Sequence, residues 1–295
     1  MSRDVPRAAM ALAALSGDEL GIIFSQLCNV LDTRIAVAFS STSNELRELT
    51  QALLQQLKAD HEVAAALCRK LGLRSCKELR EAKKVERWNQ GLFSADLATL
   101  GTLGSVLPAL EELNLLLLAA GPDGVPRLAE KLGAGALPAL TMLQVIFMNV
   151  GDAGASALAA ALDRGALPRL EKLQLCAAAI GDAGLVALAP ALRRRAALET
   201  LNFDHNRFGD EGLAALVAPP TPPAGALSPT AGVLPKLKVL CLNYTEISDA
   251  GCAVLAAALD SGSLPALEKL VLDATAASAA AQSAVYAARD GLQSQ

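Results

Sequence analysis

The feature that most constrains the fold of this chain is a segment of about thirty residues that is repeated along most of its length. Its clearest copy covers residues 137–166 and reads LPALTMLQVIFMNVGDAGASALAAALDRGA. Further copies begin at Leu107, Leu167, Leu234 and Leu264, and a shortened one begins at Ala197. Each copy opens with alternating leucines, which predict a short strand, and closes with an Ala/Leu-rich run, which predicts a helix. Because one such unit cannot bury its own apolar face, we expect the copies to stack on one another.

The strand of each copy is followed by a glycine-rich turn. Strand cores are predicted at residues 113–117, 143–147, 173–177, 201–205, 240–244 and 270–274, with a weaker first strand at 85–89. Gly151 and Gly154 allow a tight turn, and Asp152 between them is predicted to cap the helix that follows. Equivalent aspartates, which we likewise interpret as caps of their own helices and not as catalytic acids, are Asp123, Asp182, Asp210 and Asp249.

The repeats, from about residue 77 to 290, resemble leucine-rich repeats of the ribonuclease-inhibitor type. This resemblance implies an α/β leucine-rich-repeat solenoid (a horseshoe), with a parallel sheet on the concave side and helices outside. The family usually has Asn three residues after the last strand leucine, and here only Asn206 keeps it. We therefore expect water or a changed backbone course to satisfy the other turns, at Leu118, Met148, Ala178, Thr245 and Thr275.

Residues 1–76 are predicted to be an N-terminal α-helical region. Capping boxes at 16–19 and 42–45 each open a helix, and Asp60 is predicted to cap a third. The inward side chains of the second and third helices are predicted to be Leu46, Leu49, Leu53, Leu54, Leu57, Val63, Leu67 and Leu71. A Pro-rich insertion at 218–233 interrupts the repeats, and residues 291–295 are a frayed tail.

Residues 15–49 resemble an F-box, since Asp18, Glu19 and Ser25 accompany an apolar run typical of its first helix. The resemblance implies docking on the adaptor of a cullin-type ubiquitin ligase, with downstream repeats holding the substrate. The adaptor contacts it implies are Leu15, Leu20, Ile23, Phe24 and Leu27. Ser16 and Leu46 depart from the usual Pro and Trp. In the alternative interpretation these helices only cap the first repeat.

Composition limits the possible partners. The first 90 residues hold 13 of the 26 Lys and Arg and 11 of the 30 Asp and Glu, so the remainder has 13 basic and 19 acidic residues. Such an acidic array argues against nucleic acid as the main partner. We expect no membrane contact, because no apolar run reaches spanning length. The six scattered cysteines and the lack of a signal sequence predict a reducing compartment, cytoplasmic or nuclear.

The concave face is the candidate binding surface, because every second strand residue points away from the core. The early repeats present an apolar floor and the later ones a polar floor. The candidate contacts are Asn114, Leu116, Leu117, Gln144, Ile146, Phe147, Gln174, Cys176, Asn202, Asp204, His205, Cys241, Asn243 and Tyr244. The alternative is that the N-terminus or a second copy of the chain covers this floor.

One group on this face could carry chemistry. Asp204 lies beside His205, and Cys176 and Cys241 lie in neighbouring repeats. An open sheet excludes no water and offers no oxyanion hole, so we predict no enzymatic activity. His205 is the only imidazole in the array, so we predict no metal site and no cofactor.

Together these features predict a non-enzymatic protein-binding solenoid. Its most specific form is a substrate-recognition subunit of a cullin-type ubiquitin ligase. The alternative is a plain leucine-rich-repeat scaffold or inhibitor.

Overall fold

The computed structural model describes residues 19, 23–24, 29–41, 44–88, 91–116, 119–217, 233–289 and 291–293. They belong to two compact units, one ending at Glu81 and one beginning at Ala82. Leu15, Leu20, Leu27 and Leu117 lie outside the described residues, as does the Pro-rich insertion up to residue 232. No helix in the described ranges is both long and apolar enough to cross a membrane.

The first unit contains helices α1 (Arg34–Ser40), α2 (Asn44–Lys70) and α3 (Cys76–Glu81). Its apolar core holds Phe24, Ala36 and Leu57, with Val30, Phe39 and Leu54 packed against them. The rings of Phe24 and Phe39 meet edge to face at a centroid distance of 6.4 Å. A buried polar link, from Thr50 Oγ1 to Ser40 Oγ at 2.8 Å, joins α2 to α1.

The predicted break at Asp60 is wrong, because α2 is continuous over 27 residues. Residues 44–70 contain no Gly or Pro, and Asp60 accepts a hydrogen bond from Gln56 Nε2, one turn earlier, at 2.8 Å. The continuous helix also changes which side chains face inward. Val63 follows buried Leu57 by six residues, which at ~100° per residue places it far from the buried face. It is 53% exposed, and Leu53, also predicted to be buried, is 41% exposed.

The second unit is built from alternating strands and helices. Within its described residues, seven strands form one parallel sheet whose order follows the sequence. Parallel neighbours need a crossover, and a helix supplies one after each strand. The elements are β1 (Lys84–Trp88), α4 (Ser94–Thr102), β2 (Glu112–Leu116), α5 (Gly124–Lys131), β3 (Met142–Ile146), α6 (Gly151–Asp163), β4 (Lys172–Cys176), α7 (Asp182–Arg193), β5 (Thr200–Asn202), α8 (Asp210–Val217), β6 (Val239–Cys241), α9 (Asp249–Asp260), β7 (Lys269–Val271) and α10 (Ala279–Ala287).

The core lies between the sheet and these helices. Equivalent residues pair in register across all the strands, so one apolar side chain per repeat forms a continuous row: Val85, Leu113, Leu143, Leu173, Leu201, Leu240 and Leu270. The predicted inward residues of the best repeat, Leu143, Val145, Val150, Leu158 and Leu162, are all buried. The repeat pattern therefore specifies the core layer correctly.

The aspartates of the glycine-rich turns do not cap their own helices, so that prediction is wrong. Asp152 Oδ1 accepts from the backbone N–H of Gly181 at 2.7 Å, in the next repeat. Asp182 Oδ1 likewise accepts from Gly209 at 2.9 Å and Gly212 at 2.7 Å. Asp210 and Asp249 bond to Ser248 and Ser278 in the same way. Each of these aspartates lies in the first turn of its own helix, so its side chain reaches the start of the following helix instead. We call Asp152, Asp182, Asp210 and Asp249 the forward aspartates.

The second glycine of the turn is required by these contacts. A Cβ atom at Gly184 would lie 2.5 Å from Asp152 Oδ1, and one at Gly251 would overlap Asp210 Oδ1. Asp123, at the start of the array, makes no side-chain cap. The forward bonds therefore connect the helices from α6 to α10.

Arginines make the opposite connection at the other end of the helices. Arg164 donates to the carbonyl oxygen of Ala129 at 2.8 Å, at the end of the preceding helix. Arg195 donates to those of Leu162 and, at 3.0 Å, Ala166. These cations add a hydrogen bond to carbonyl groups near the helix C-termini, where positive charge is favoured; Ala129 and Leu162 also accept from the N–H groups of Leu132 and Gly165.

Candidate functional site

One face of the sheet carries the outward side chains of the strands. Gln144 and Gln174 occupy equivalent positions there, and Gln144 Nε2 donates to Gln174 Oε1 at 2.8 Å. Asn202 and Cys241 continue the row on β5 and β6 and are half-buried. One side-chain hydrogen bond therefore joins β3 to β4 on this face, and Asn202 Oδ1 accepts from the backbone N–H of Asp204 at 2.9 Å.

Three of the predicted contacts on this face are not exposed. Asn114, Leu116 and Cys176 are buried, whereas Ile146, between the last two, is half-buried. Parallel strands lie only ~4.8 Å apart, so a side chain that points away from the core can still be covered by its in-register neighbours. The apolar floor predicted for the early repeats is therefore narrower than its outward positions indicated. Asn114 Oδ1 has no hydrogen-bond partner among the described residues.

The residue that closes each strand region from β3 to β7 adopts a left-handed backbone conformation. We call the described members of this set the strand-end ladder: Phe147, Ala177, His205, Tyr244 and Ala274, with φ between 49° and 58°. Each backbone N–H of the first four donates to a carbonyl of the next repeat at 2.8–3.0 Å. For residues that carry a Cβ atom, the left-handed conformation costs about 1–2 kcal/mol. The ladder of backbone bonds holds this conformation in place.

Three ladder residues present rings to solvent. Phe147 is 60% exposed and Tyr244 is 56% exposed, and His205 is also exposed. The rings of His205 and Tyr244 stack with their centroids 4.2 Å apart and their planes 8° from parallel. The stacking distance is close to the spacing of adjacent parallel strands, as expected for equivalent positions on neighbouring repeats.

The turn after the ladder is held chiefly by Asn206. Its Oδ1 accepts from the N–H groups of Ala178 at 3.2 Å and Ile180 at 3.0 Å, and its Nδ2 donates to the carbonyls of Leu175 at 2.7 Å and Phe203 at 2.8 Å. The Asn206 side chain therefore forms hydrogen bonds with backbone groups of two neighbouring repeats.

Repeats without the asparagine use other groups. Thr245 Oγ1 donates to the carbonyl of Leu242 at 2.8 Å. The carbonyl of Ala178 accepts from the N–H groups of Val150 and Gly151, both at 3.0 Å. In the second arrangement, backbone groups of neighbouring repeats bond to one another directly.

The polar residues beside the rings are engaged with the backbone. Asp204 Oδ1 accepts from the N–H of Asn243 at 2.8 Å, and Asn243 Oδ1 accepts from that of Asp273 at 2.7 Å. Asp273, at the same outward position in the next repeat, is exposed and, like Asp204 and Asn243, immediately precedes a ladder residue.

The two thiols near this group are not activated. Burial, and then the charge of Asp204, raises the pKa of Cys176 to about 12 and that of Cys241 to about 11. Both thiols are therefore protonated near neutral pH, whereas thiol nucleophiles act as thiolates. Among the described residues, no three His, Cys, Asp or Glu side chains come together as a metal site would require.

In the first unit, the structure corrects one predicted adaptor contact. Phe24 is 4% exposed and packs on Phe39, so it belongs to the unit's own core and does not form a docking surface. Its neighbour Ile23 is half-buried.

A family model described as a leucine-rich repeat matches residues 197–217. This match supports a leucine-rich repeat protein. The matched leucine-rich repeat holds β5, His205, Asn206 and α8. No curated protein matches the chain. The ribonuclease-inhibitor type and the F-box resemblance remain predictions.

Proposed function

We propose that this chain is a non-enzymatic protein-binding scaffold, and that its partner contacts the strand-end ladder and the adjoining outward face of the sheet. Leucine-rich repeats suggest such a scaffold. The observation that carries the proposal is the exposure of Phe147, His205 and Tyr244 in a left-handed backbone. Within this proposal the array is a curved solenoid and its ladder lies along the concave side.

The exposed rings would gain free energy from burial if a partner covered them. Burying a large apolar side chain contributes about 1.5–3 kcal/mol, but Phe147 and Tyr244 remain more than half exposed. The left-handed backbone at both positions adds a cost. Strained backbone of this kind is concentrated at functional sites. Aromatic side chains are also enriched at protein interfaces. A partner that covers the rings would supply the burial that the chain itself does not.

The raised pKa values of Cys176 and Cys241 support the non-enzymatic form of the proposal. With both thiols protonated, His205 and Asp204 have no thiolate nucleophile beside them.

Replacing Phe147 with Glu tests this surface. We expect partner bound by the purified chain to fall about tenfold or more, because a charged group would replace an exposed aromatic anchor. The bound protein would be quantified by mass spectrometry after affinity capture. Val254→Glu on α9 is the matched control, since Val254 is also an exposed apolar residue but lies on a helix. Equal capture by the Phe147 variant and the wild type, with unchanged melting curves, would contradict the proposal.

A narrower form of the proposal makes the chain the substrate-recognition subunit of a cullin-type ubiquitin ligase. It is supported by the order of an F-box-like segment followed by repeats. In this form the adaptor would contact Ile23, which is half-buried. Phe24 is buried, and the other predicted adaptor contacts lie outside the described residues.

Ile23→Asp should abolish co-purification of the ligase adaptor from cell extract, because it places a charge in an apolar contact. Ile35→Asp on α1, at an exposed apolar residue, should leave it unchanged. Circular dichroism of both variants shows whether the helices remain folded. If the intact chain retains no adaptor, this narrower form is wrong, and the first unit serves as a cap in a plain scaffold or inhibitor.

A further inference from the structure

The stacked pair of His205 and Tyr244 offers two ring faces to solvent, one at each end of the stack. The stack runs along the strand-end ladder, because the two rings come from equivalent positions on neighbouring repeats. The next ladder residues on either side are Ala177 and Ala274. Tyr244 is 56% exposed and Ala274 carries only a methyl group, which leaves part of the outer face of the ring accessible.

Acidic residues flank the ring pair along the chain. The carbonyl of Asp273 accepts from the N–H of Tyr244 at 3.0 Å, Asp204 immediately precedes His205, and Glu246 follows Tyr244 by two residues. None of the three forms an ion pair with a described residue, although other acids of the sheet do, such as Glu112 with Lys84 at 3.4 Å.

Two cations lie near this group in the sequence. Arg207 follows His205 by two residues, and Lys269 stands at the start of β7. The chain from residue 91 onward nevertheless has 13 basic against 19 acidic residues. Three carboxylates against two cations leave a small excess of negative charge near the ring pair, which favours a cationic group over a phosphate.

The group is also held in place before any partner binds. Asp204 and Asn243 each accept a backbone N–H from the next repeat, at 2.8 and 2.7 Å. Beneath the ladder, Phe203 and Phe208 are fully buried and meet edge to face at 6.1 Å. A rigid ring whose position is fixed loses little conformational entropy on binding.

We propose that the outer face of Tyr244 binds an arginine side chain from a basic segment of the protein partner, with Asp273 as the neighbouring anion. A guanidinium group is planar and cationic, so it can stack on the phenol ring while donating hydrogen bonds to the carboxylate. The Ala274 methyl group leaves room for it. The inference rests on the proposed function and specifies the chemistry of the partner at one point of that surface.

The test uses the full chain and a short fluorescein-labelled peptide of alternating arginine and glycine, with fluorescence anisotropy as the readout. A matched peptide with citrulline in place of arginine keeps the planar shape but loses the charge. We expect the arginine peptide to bind and the citrulline peptide to bind at least about tenfold more weakly.

Variants locate the binding site. Tyr244→Ala should weaken the arginine peptide about fivefold, and Tyr244→Phe should leave it nearly unchanged, because the ring face remains. Asp273→Asn should weaken it about threefold. Val254→Ala is the control, since Val254 is an exposed apolar residue on α9, outside the strand-end ladder, and it should have no effect.

Three results would overturn the inference: equal binding of the citrulline peptide, no effect of Tyr244→Ala, or tighter binding of a labelled single-stranded oligouridine that depends on Tyr244. The last result would identify base stacking instead. If the arginine peptide fails to bind while partner capture still depends on Phe147, only this inference is wrong. If partner capture does not depend on Phe147 either, the proposed function is wrong as well.

Discussion

Replacing Asn206 with alanine should lower the free energy of unfolding by about 3–5 kcal/mol, since a buried group left without its hydrogen-bond partner costs about 1–3 kcal/mol. Asn206 is 3% exposed. Its removal would leave the N–H groups of Ala178 and Ile180 and the carbonyls of Leu175 and Phe203 without this partner. The effect should be large because the same side chain supports two repeats.

Urea unfolding followed by circular dichroism measures this loss. Asn149→Ala, at an exposed asparagine after β3, is the control and should change stability by less than about 0.5 kcal/mol. Asn206→Asp should be at least as harmful as alanine near neutral pH, because a carboxylate oxygen would face the carbonyl oxygens of Leu175 and Phe203. A loss below about 1 kcal/mol for Asn206→Ala would show that the turn is supported by other groups.

Gly101→Ala should lower the free energy of unfolding by about 2–4 kcal/mol, because it forces apart two packed helices. Gly101 lies in α4, and a Cβ atom there would be 2.5 Å from the carbonyl oxygen of Leu128 and 2.9 Å from Lys131 Cβ, both in α5. The closest atom belongs to the backbone, so no side-chain rotation can relieve the contact. Helix α5 would have to move.

Thermal melting of Gly101→Ala should be compared with that of Gly133→Ala. A Cβ atom at Gly133 meets no atom within 4 Å, and its backbone does not adopt positive φ. We expect the Gly133 variant to match the wild type or to gain up to about 1 kcal/mol, since alanine reduces the entropy of the unfolded chain. Similar melting of the two variants would mean that α4 and α5 separate at little cost.

The period of the sequence was sufficient to predict the order of strands and helices and the apolar layer of the second unit, although β5, β6 and β7 each end three residues before the predicted strand end. Leucines such as Leu143 and Leu173 recur with the same spacing, and the structure pairs them in register. Alternation along a strand predicts which way a side chain points. It does not predict exposure, which depends on the neighbouring strands. Asn114 and Leu116 were therefore predicted to be solvent-facing, whereas both are buried.

The direction of the aspartate contacts could not be read from the sequence. Every repeat carries the same turn, so a bond from Asp182 to its own helix and a bond to the next one fit the same pattern. The choice depends on where the helix starts, which differs from the predicted cap position by a residue or two. The stacking of His205 and Tyr244 likewise depends on a left-handed φ at residues that rarely adopt it.

The forward aspartates give each repeat an amide that reports on the repeat before it. The N–H groups of Gly181, Gly212, Ser248 and Ser278 are each bonded to a carboxylate of the preceding helix. Hydrogen exchange at such an amide requires that bond to break, so slow exchange reports that the contact between the two helices is intact. Read together, these amides would give the order in which neighbouring repeats separate between α6 and α10, without any label or substitution.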